Sequence, residues 1–402
     1  MLKKLTLSVK LAMCGNKEAD ESRSLIESDI TAMNYRAYRK LSRSVPLITG
    51  RHLLLWPTAF LFMAAHSFTY STFSQYVYIK QERETFPNVT INTTRAYCER
   101  DTNTSEYIIQ ETIQQKAAFK RIYLYFVGGV PAIVATFVFG VCTDRFGRKF
   151  LFYLAWFGMT FRTLWAIVGV YTDWPLYYFI PGYIVEGCSG QVFNVVQASY
   201  IYISDITIVG MQRSVGIVMI QFAFGLATTF PTLAVGYLLQ DTNSFMIPFY
   251  ISIGLLALAL VMILILPETF PKKARCKRIR TSRLASLKES WGLFCSYSNV
   301  GKRWMYIVTL SVFVLTTYDF YGRQAIEDLY LLNNPFCWGP EQMGIFNALR
   351  TGLQQIASMT LVIVFKVFLS DEGIAILGCV SFGASFILEA WSSTDTMMYV
   401  GE

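Results

Sequence analysis

The chain has 402 residues, 53% of them hydrophobic and only 15% charged, and carries a formal net charge of +8. So apolar a composition, with a positive mean hydropathy, excludes an ordinary soluble domain and points to a polytopic membrane protein. The positive excess sits mostly in two segments that flank apolar runs, so it reads as membrane topology and not as affinity for nucleic acid.

Residues 1–52 are polar and of mixed charge, and no signal peptide precedes the first apolar run. They form an N-terminal tail rich in Lys and Arg, expected to be cytosolic under the positive-inside rule. Within it, Glu21-Ser22-Arg23-Ser24-Leu25-Ile26 fits an acidic dileucine sorting pattern of the endolysosomal kind, a short pattern that also arises by chance. The membrane is therefore expected to be the plasma membrane or, alternatively, an endolysosomal one.

Runs of roughly 20 apolar residues suffice to span a bilayer. By that test the spans lie near 53–78, 121–142, 150–171, 176–203, 214–238, 246–266, 304–326, 341–367 and 373–391, and a tenth apolar run begins at Met397. The region 53–266 is thus a six-helix N-terminal half, and 267–303 is a basic cytosolic linker with Lys272, Lys273, Arg275, Lys277, Arg278, Arg280 and Arg283. Residues 304–402 form a partial second half, expected to be truncated, with about nine to ten helices in all. Six spans between two basic segments is an even number, so the topology is self-consistent.

Between spans one and two, the loop 81–120 is long, polar and expected outside. It holds three glycosylation sequons, at Asn88, Asn92 and Asn103, which agrees with that side. Cys98 lies in the same loop, and the next outside cysteine is Cys337, between spans seven and eight. Both face an oxidising compartment, so a disulfide between them is expected, with two free thiols as the alternative. Cys142, Cys188 and Cys379 read as membrane packing residues.

Between spans two and three comes Gly140-Val141-Cys142-Thr143-Asp144-Arg145-Phe146-Gly147-Arg148-Lys149. Charges this dense do not lie in hydrocarbon, so a tight loop at the membrane surface is expected, with Asp144 accepting backbone N–H groups or pairing with Arg148. A short basic loop is also what the positive-inside rule alone provides. The pattern G-x-x-x-D-R-x-G-R-K between two spans is more specific, and it resembles the loop signature of the major facilitator superfamily, whose members are secondary transporters. The resemblance implies twelve helices in two six-helix halves, an all-α bundle.

Ionisable groups within spans are costly and so mark candidate sites. Span three carries Arg162, whose natural partner is Glu186 in span four. Glu186, Gly190, Asn194 and Gln197 recur at helical spacing and share one face, with interhelical hydrogen bonding as the plainer reading for the amides. Span four ends in Ser204-Asp205, Arg213 opens span five, and these two can bridge a cytosolic loop; span six closes with Pro267-Glu268-Thr269. In span seven, Asp319 and Arg323 lie four apart and can pair. Span eight has a polar face of Asn347, Arg350 and Gln354, and an Arg in a cavity suits an anionic carboxylate. Glu389 sits near the end of span nine, placed to snorkel.

Phe86-Pro87-Asn88, Tyr202-Ile203-Ser204-Asp205-Ile206-Thr207, Pro335-Phe336-Cys337-Trp338 and Ala348-Leu349-Arg350 carry a narrower likeness. On these the chain resembles the solute-carrier family that contains the proton-coupled folate transporter and the thymic stromal cotransporter, solute carrier family 46. The resemblance implies a rocking transporter, an outside disulfide at the Cys98 and Cys337 positions, and organic-anion substrates such as folates. Two positions depart. The family's proton-coupling glutamate in span five falls at Gln221, which cannot titrate. The folate carrier's span-seven histidine falls at about Phe320, and the chain's two histidines are His52 and His66.

Residues and resemblance together give the expectation of a secondary-active or facilitative carrier of small organic anions working by alternating access. Gly140, Asp144, Arg145, Gly147, Arg148, Asp205 and Arg213 would work the cytosolic gate, and Arg162, Glu186, Asn194, Gln221, Asp319 and Arg350 would line the cavity. No metal or organic cofactor is called for, a coupling proton aside. The partners expected are the organic anion and the lipid, with no nucleic acid. The alternative is a non-transporting membrane receptor or interaction protein, or an inactive product. An enzyme is not expected, since the sequence holds no H-E-x-x-H, G-x-S-x-G or P-loop motif.

Overall fold

A computed structural model describes residues 50, 52–85, 105–207, 210–242, 244–269, 304–305, 307–315, 331, 336, 338 and 340–401. Among these every regular element is helical. The helices are α1 (Leu55–Thr85), α2 (Ser105–Phe146), α3 (Lys149–Tyr171), α4 (Ile180–Cys188), α5 (Gln191–Ile206), α6 (Met211–Thr242), α7 (Met246–Ile265), α8 (Pro340–Phe365), α9 (Asp371–Trp391) and α10 (Asp395–Gly401). Residues 307–315 are helical too. Among the described residues five stretches are long and apolar enough to cross a membrane: Gln115–Gly140 in α2, then α3, α6, α7 and Glu372–Trp391 in α9.

Helices are the natural solution here, because a backbone in hydrocarbon must satisfy its own hydrogen bonds. Pro131 and Pro231 stand inside α2 and α6 without ending them. The long apolar side chains sort by face. Phe119, Phe126, Ile133 and Phe137 of α2 point outward, as lipid-facing residues do.

Two apolar clusters fill the N-terminal bundle. One joins Leu55 and Phe62 of α1, Phe152 of α3, Tyr202 of α5, Ile220 of α6 and Ile263 of α7. The other, toward the opposite end, joins Phe73 and Val77 of α1, Leu124 of α2, Phe179, Tyr183 and Phe249. Between them α1, α3 and α7 are tied by hydroxyls: Thr69 bonds Thr163 at 3.1 Å and Ser252 at 2.8 Å, and Ser252 also donates to the Ala65 carbonyl. Such small polar residues let membrane helices approach closely and bond across the contact.

α6 also packs on α8, joining the N-terminal helices to the second half. A Cβ at Gly225 of α6 would sit 2.2 Å from Gln355 side-chain atoms of α8, so the absence of a side chain at 225 is what permits this approach. In the second half, Trp338 packs edge-on to Phe346, beside Tyr399, and its indole donates to Asp395 at 2.9 Å.

Several expectations change. The segment 140–149 is not a loop throughout. α2 continues through Asp144 and Arg145 to Phe146, and only Gly147 and Arg148 turn the chain before α3 begins. A helix that projects past the hydrocarbon keeps its internal hydrogen bonds while its charges reach water. Span four is not one helix, because it breaks between α4 and α5 at Ser189-Gly190. Cys188 and Cys379 are exposed on their helices instead of packed within the bundle. Glu389 does not snorkel; it is 8% exposed and accepts from the Ser385 hydroxyl at 3.0 Å. Asn88, Asn92, Asn103, Cys98, Cys337, Asp319, Arg323 and residues 21–26 lie outside the described residues, as do the side chains of Asp144, Arg145 and Asn347.

Candidate functional site: a charged helix junction and a buried ion pair

Where α2 meets α3, the chain turns at Gly147, whose φ of 100° is open only to a residue without a side-chain penalty. Its N–H donates to the Thr143 carbonyl at 2.8 Å, closing the end of α2. Arg148 follows and sends its Nε to Asp205 Oδ2 at 2.9 Å and its Nη1 to Thr143 Oγ1 at 2.8 Å. Asp205 sits in the last turn of α5 and also accepts from Thr269 Oγ1 at 3.0 Å. Glu268 reaches back to the start of α3, accepting the backbone N–H of Arg148 at 2.8 Å and of Lys149 at 3.3 Å. A carboxylate there meets both the orphan N–H groups and the positive end of the helix dipole. Tyr202 completes the junction by donating to the Pro267 carbonyl at 2.8 Å.

This arrangement corrects one pairing. Arg213 does not bridge to Asp205; its guanidinium donates to the Ser204 and Thr207 carbonyls at 2.9 and 3.2 Å, holding the C-terminal end of α5. Asp205 is turned instead to Arg148. The acidic end of α5, the turn after α2 and the segment after α7 thus meet on one charged seam.

Deeper in the bundle Arg162 of α3 and Glu186 of α4 pair at 3.2 Å, with side chains 6% and 2% exposed. The guanidinium also donates to Tyr183 Oη at 3.1 Å and lies 4.5 Å from the centre of that ring. Around it are rings from three helices. Tyr125 of α2 meets Tyr183 edge-on, Tyr70 of α1 stacks on Tyr125 with centroids 5.2 Å apart, and His66 stacks on Tyr70 at 6.0 Å. Tyr70 is the cluster's exposed member, at 41%.

Directly after Glu186 the helix breaks. Gly190 has φ 82° and Gln191 φ 51°, both left-handed, which an α-helix cannot continue. Gly158 of α3 leaves room for Ser189, and Gly128 of α2 lies against Gly187. Asn194 donates to the Ser189 carbonyl at 2.7 Å across the break. Its Oδ1, and the Oε1 of Gln197 one turn on, are buried with no hydrogen-bond partner among the described residues. The polar stripe therefore spans two helices, with Glu186 on one and Asn194 and Gln197 on the other. Gln221 of α6 bonds Tyr200 of α5. Arg350 of α8 is half-buried.

The sequence reading missed Lys80, Asp173, His66, Tyr70, Tyr125 and the role of Glu268. For the break a signal was present, since Gly187-Cys188-Ser189-Gly190 sets two glycines in mid-span. At the far end Lys80 of α1 reaches Asp173 Oδ1 at 2.6 Å and its carbonyl at 3.0 Å, joined by Tyr76 Oη at 3.3 Å. The hydrogen bond from Lys80 holds the Asp173 carboxyl below its ordinary value. Among the described residues no group of three or more His, Cys, Asp or Glu side chains is placed to hold a metal ion.

The all-helical bundle and its apolar spans define an integral membrane protein with a major-facilitator-type fold. The fold is that of the human organic anion transporter MFSD10 (TETRAN), whose crystal structure superposes with a TM-score of 0.60 at 15% identity, covering 88% of this chain and 82% of that one. Among curated proteins the chain is similar to the lysosomal proton-coupled steroid conjugate and bile acid symporter SLC46A3. It is 24% identical to the Gallus gallus protein and 25% to the Homo sapiens protein, each over 87% of this chain and 76% of the relative. The proton-coupled folate transporter of Rattus norvegicus is 22% identical over 70% of this chain and 60% of its own. No family model matches the chain. The likeness read from the short motifs is thus upheld, and this chain is similar to the solute carrier family 46 transporters.

Proposed function

We propose that this protein carries small organic anions across a membrane by alternating access. The observation that carries this reading is the similarity, over 87% of the chain, to a proton-coupled steroid conjugate and bile acid symporter. The fold of an organic anion transporter supports it.

In this reading the seam of Arg148, Asp205, Glu268 and Thr269 locks one end of the N-terminal bundle, together with Asp144, Arg145, Gly140, Gly147 and Arg213. Its charge-assisted bonds hold in one state and part in the other. Arg162, Glu186, Asn194, Gln221, Arg350 and Asp319 supply the polar lining, and the arginines give the cavity its preference for anions. Exposed Tyr70, stacked on Tyr125, offers a ring face to a flat or polycyclic substrate body. The membrane is the plasma membrane or an endolysosomal one.

The test is uptake of radiolabelled taurocholate, a steroid sulfate and folate into cells expressing the chain at their surface. Saturable uptake of at least one, at several times the level of cells lacking the chain, is expected. Surface protein that moves none of the three, nor binds any of them, would leave the receptor reading in its place.

A further inference from the structure

A proton-linked carrier needs a titratable site within its bundle, and among the described residues Arg162 and Glu186 form an ion pair with both side chains almost wholly buried. We propose that the Arg162–Glu186 pair is that site. In this view it is a charge-exchange element in which one proton on Glu186 and one substrate anion at Arg162 bind together. The proposal rests on the anion-carrier reading above.

The pair lies inside the bundle, with its side chains 6% and 2% exposed. An ion pair so far from water loses much of its hydration and is a weak source of stability compared with apolar packing. What a buried pair provides instead is a strict charge balance. When Glu186 takes a proton, a new O–H bond neutralises the carboxylate and the bond to Arg162 at 3.2 Å is given up. The guanidinium is then a lone buried cation, and an anionic group on the substrate restores neutrality. Loss of the proton re-forms the pair and expels the anion. The site is neutral in both states, so neither the proton nor the anion binds well without the other.

Geometry supplies a means of movement. Glu186 lies in the last turn of α4, four residues before the left-handed Gly190, so α4 can shift without carrying α5 with it. Beyond the break, Asn194 Oδ1 and Gln197 Oε1 are buried acceptors without hydrogen-bond partners among the described residues. They are one and two turns along α5 from the break, toward the end that bears Asp205, and they mark a route that water can fill when the helices part. The other groups around the pair are Tyr183 of α4, Tyr125 of α2, and His66 and Tyr70 of α1. Arg121 of α2, whose guanidinium donates to Ser74 at 2.7 Å, lies one turn from Tyr125. His66, stacked on Tyr70, is the rival imidazole in this shell.

The experiment measures taurocholate uptake against pH, from 5.5 to 7.5, in the full chain and in Glu186→Gln and His66→Gln. In the unsubstituted chain the KM should rise with pH, by up to about tenfold per unit for one proton per anion. Glu186→Gln, fixed in the uncharged form, should flatten that rise to under about twofold, while His66→Gln keeps it. A Glu186→Gln profile that follows the unsubstituted chain overturns the proposal but leaves anion transport standing. So does a flat profile in His66→Gln alone. Surface protein that binds and moves no anion at any pH overturns both. Proton uptake by the purified unsubstituted protein on adding taurocholate, in weak buffer, gives a reading independent of how the variants fold. About one proton per anion is expected, and none would refute the exchange.

Discussion

Arg148 and Asp205 face each other at 2.9 Å, so the turn between α2 and α3 is held by the last turn of α5. Their side chains are 12% and 26% exposed, which shields the pair from solvent more than a surface ion pair. A hydrogen bond to a charged group at such a site contributes about 1.5–3 kcal/mol. A double-mutant cycle of Arg148→Ala and Asp205→Asn, read by thermal unfolding in detergent, should give a coupling energy of about 1 kcal/mol or more. Transport by either single variant should slow several-fold at unchanged surface level. Additive effects on unfolding would show that the contact is incidental.

Glu268 accepts two backbone N–H groups at the start of α3, which makes it a capping residue supplied from outside the helix. Glu268→Ala should destabilise the protein by about 1 kcal/mol, the usual cost of a lost cap. Glu268→Gln should recover part of that loss, since its amide oxygen still accepts but carries no charge for the helix dipole. Equal melting temperatures for the two variants would rule out the charge contribution.

Gly225 and Gln355 form the close contact between α6 and α8. Gly225→Leu should slow uptake at least several-fold, because the added side chain has no space unless the helices separate. Gly225→Ala should do so mildly, with Gln355→Ala in the same chain restoring the rate, since the atoms met are those of the Gln355 side chain. A Gly225→Leu chain with full activity would mean that these helices do not keep this contact during transport.

Asp173 gives a pH dependence with a definite sign. Its hydrogen bond from Lys80 lowers its folded-state pKa below the ordinary carboxylate value. The contribution is therefore fully present above about pH 4 and is lost as pH falls through the lowered folded value. The difference in melting temperature between the unsubstituted chain and Asp173→Asn should be constant from pH 7 to 5 and shrink only below about pH 4. Asn is the proper comparison because it tolerates the left-handed φ of 53° at this position. A difference that vanishes already by pH 6 would show that Lys80 does not hold this carboxylate.

The apolar membrane-crossing helices α3 and α7, the turn at Gly147 and Arg148 and the Arg162–Glu186 partnership were legible in the amino-acid order. Bilayer thickness and the cost of charge in hydrocarbon act on local composition, and local composition is what a sequence displays. The tertiary structure decided which charges meet. Asp205 could reach Arg213 nearby or Arg148, 57 residues away; the fold brings Arg148 to it and leaves Arg213 to the carbonyls of α5. It likewise decided that Glu268 caps α3, that span four breaks at Ser189-Gly190, and that rings from three helices surround Arg162. Those outcomes depend on how close helices distant in sequence can approach, through Gly128, Gly158 and Gly225, and a one-dimensional pattern of apolar and polar residues carries no measure of that distance.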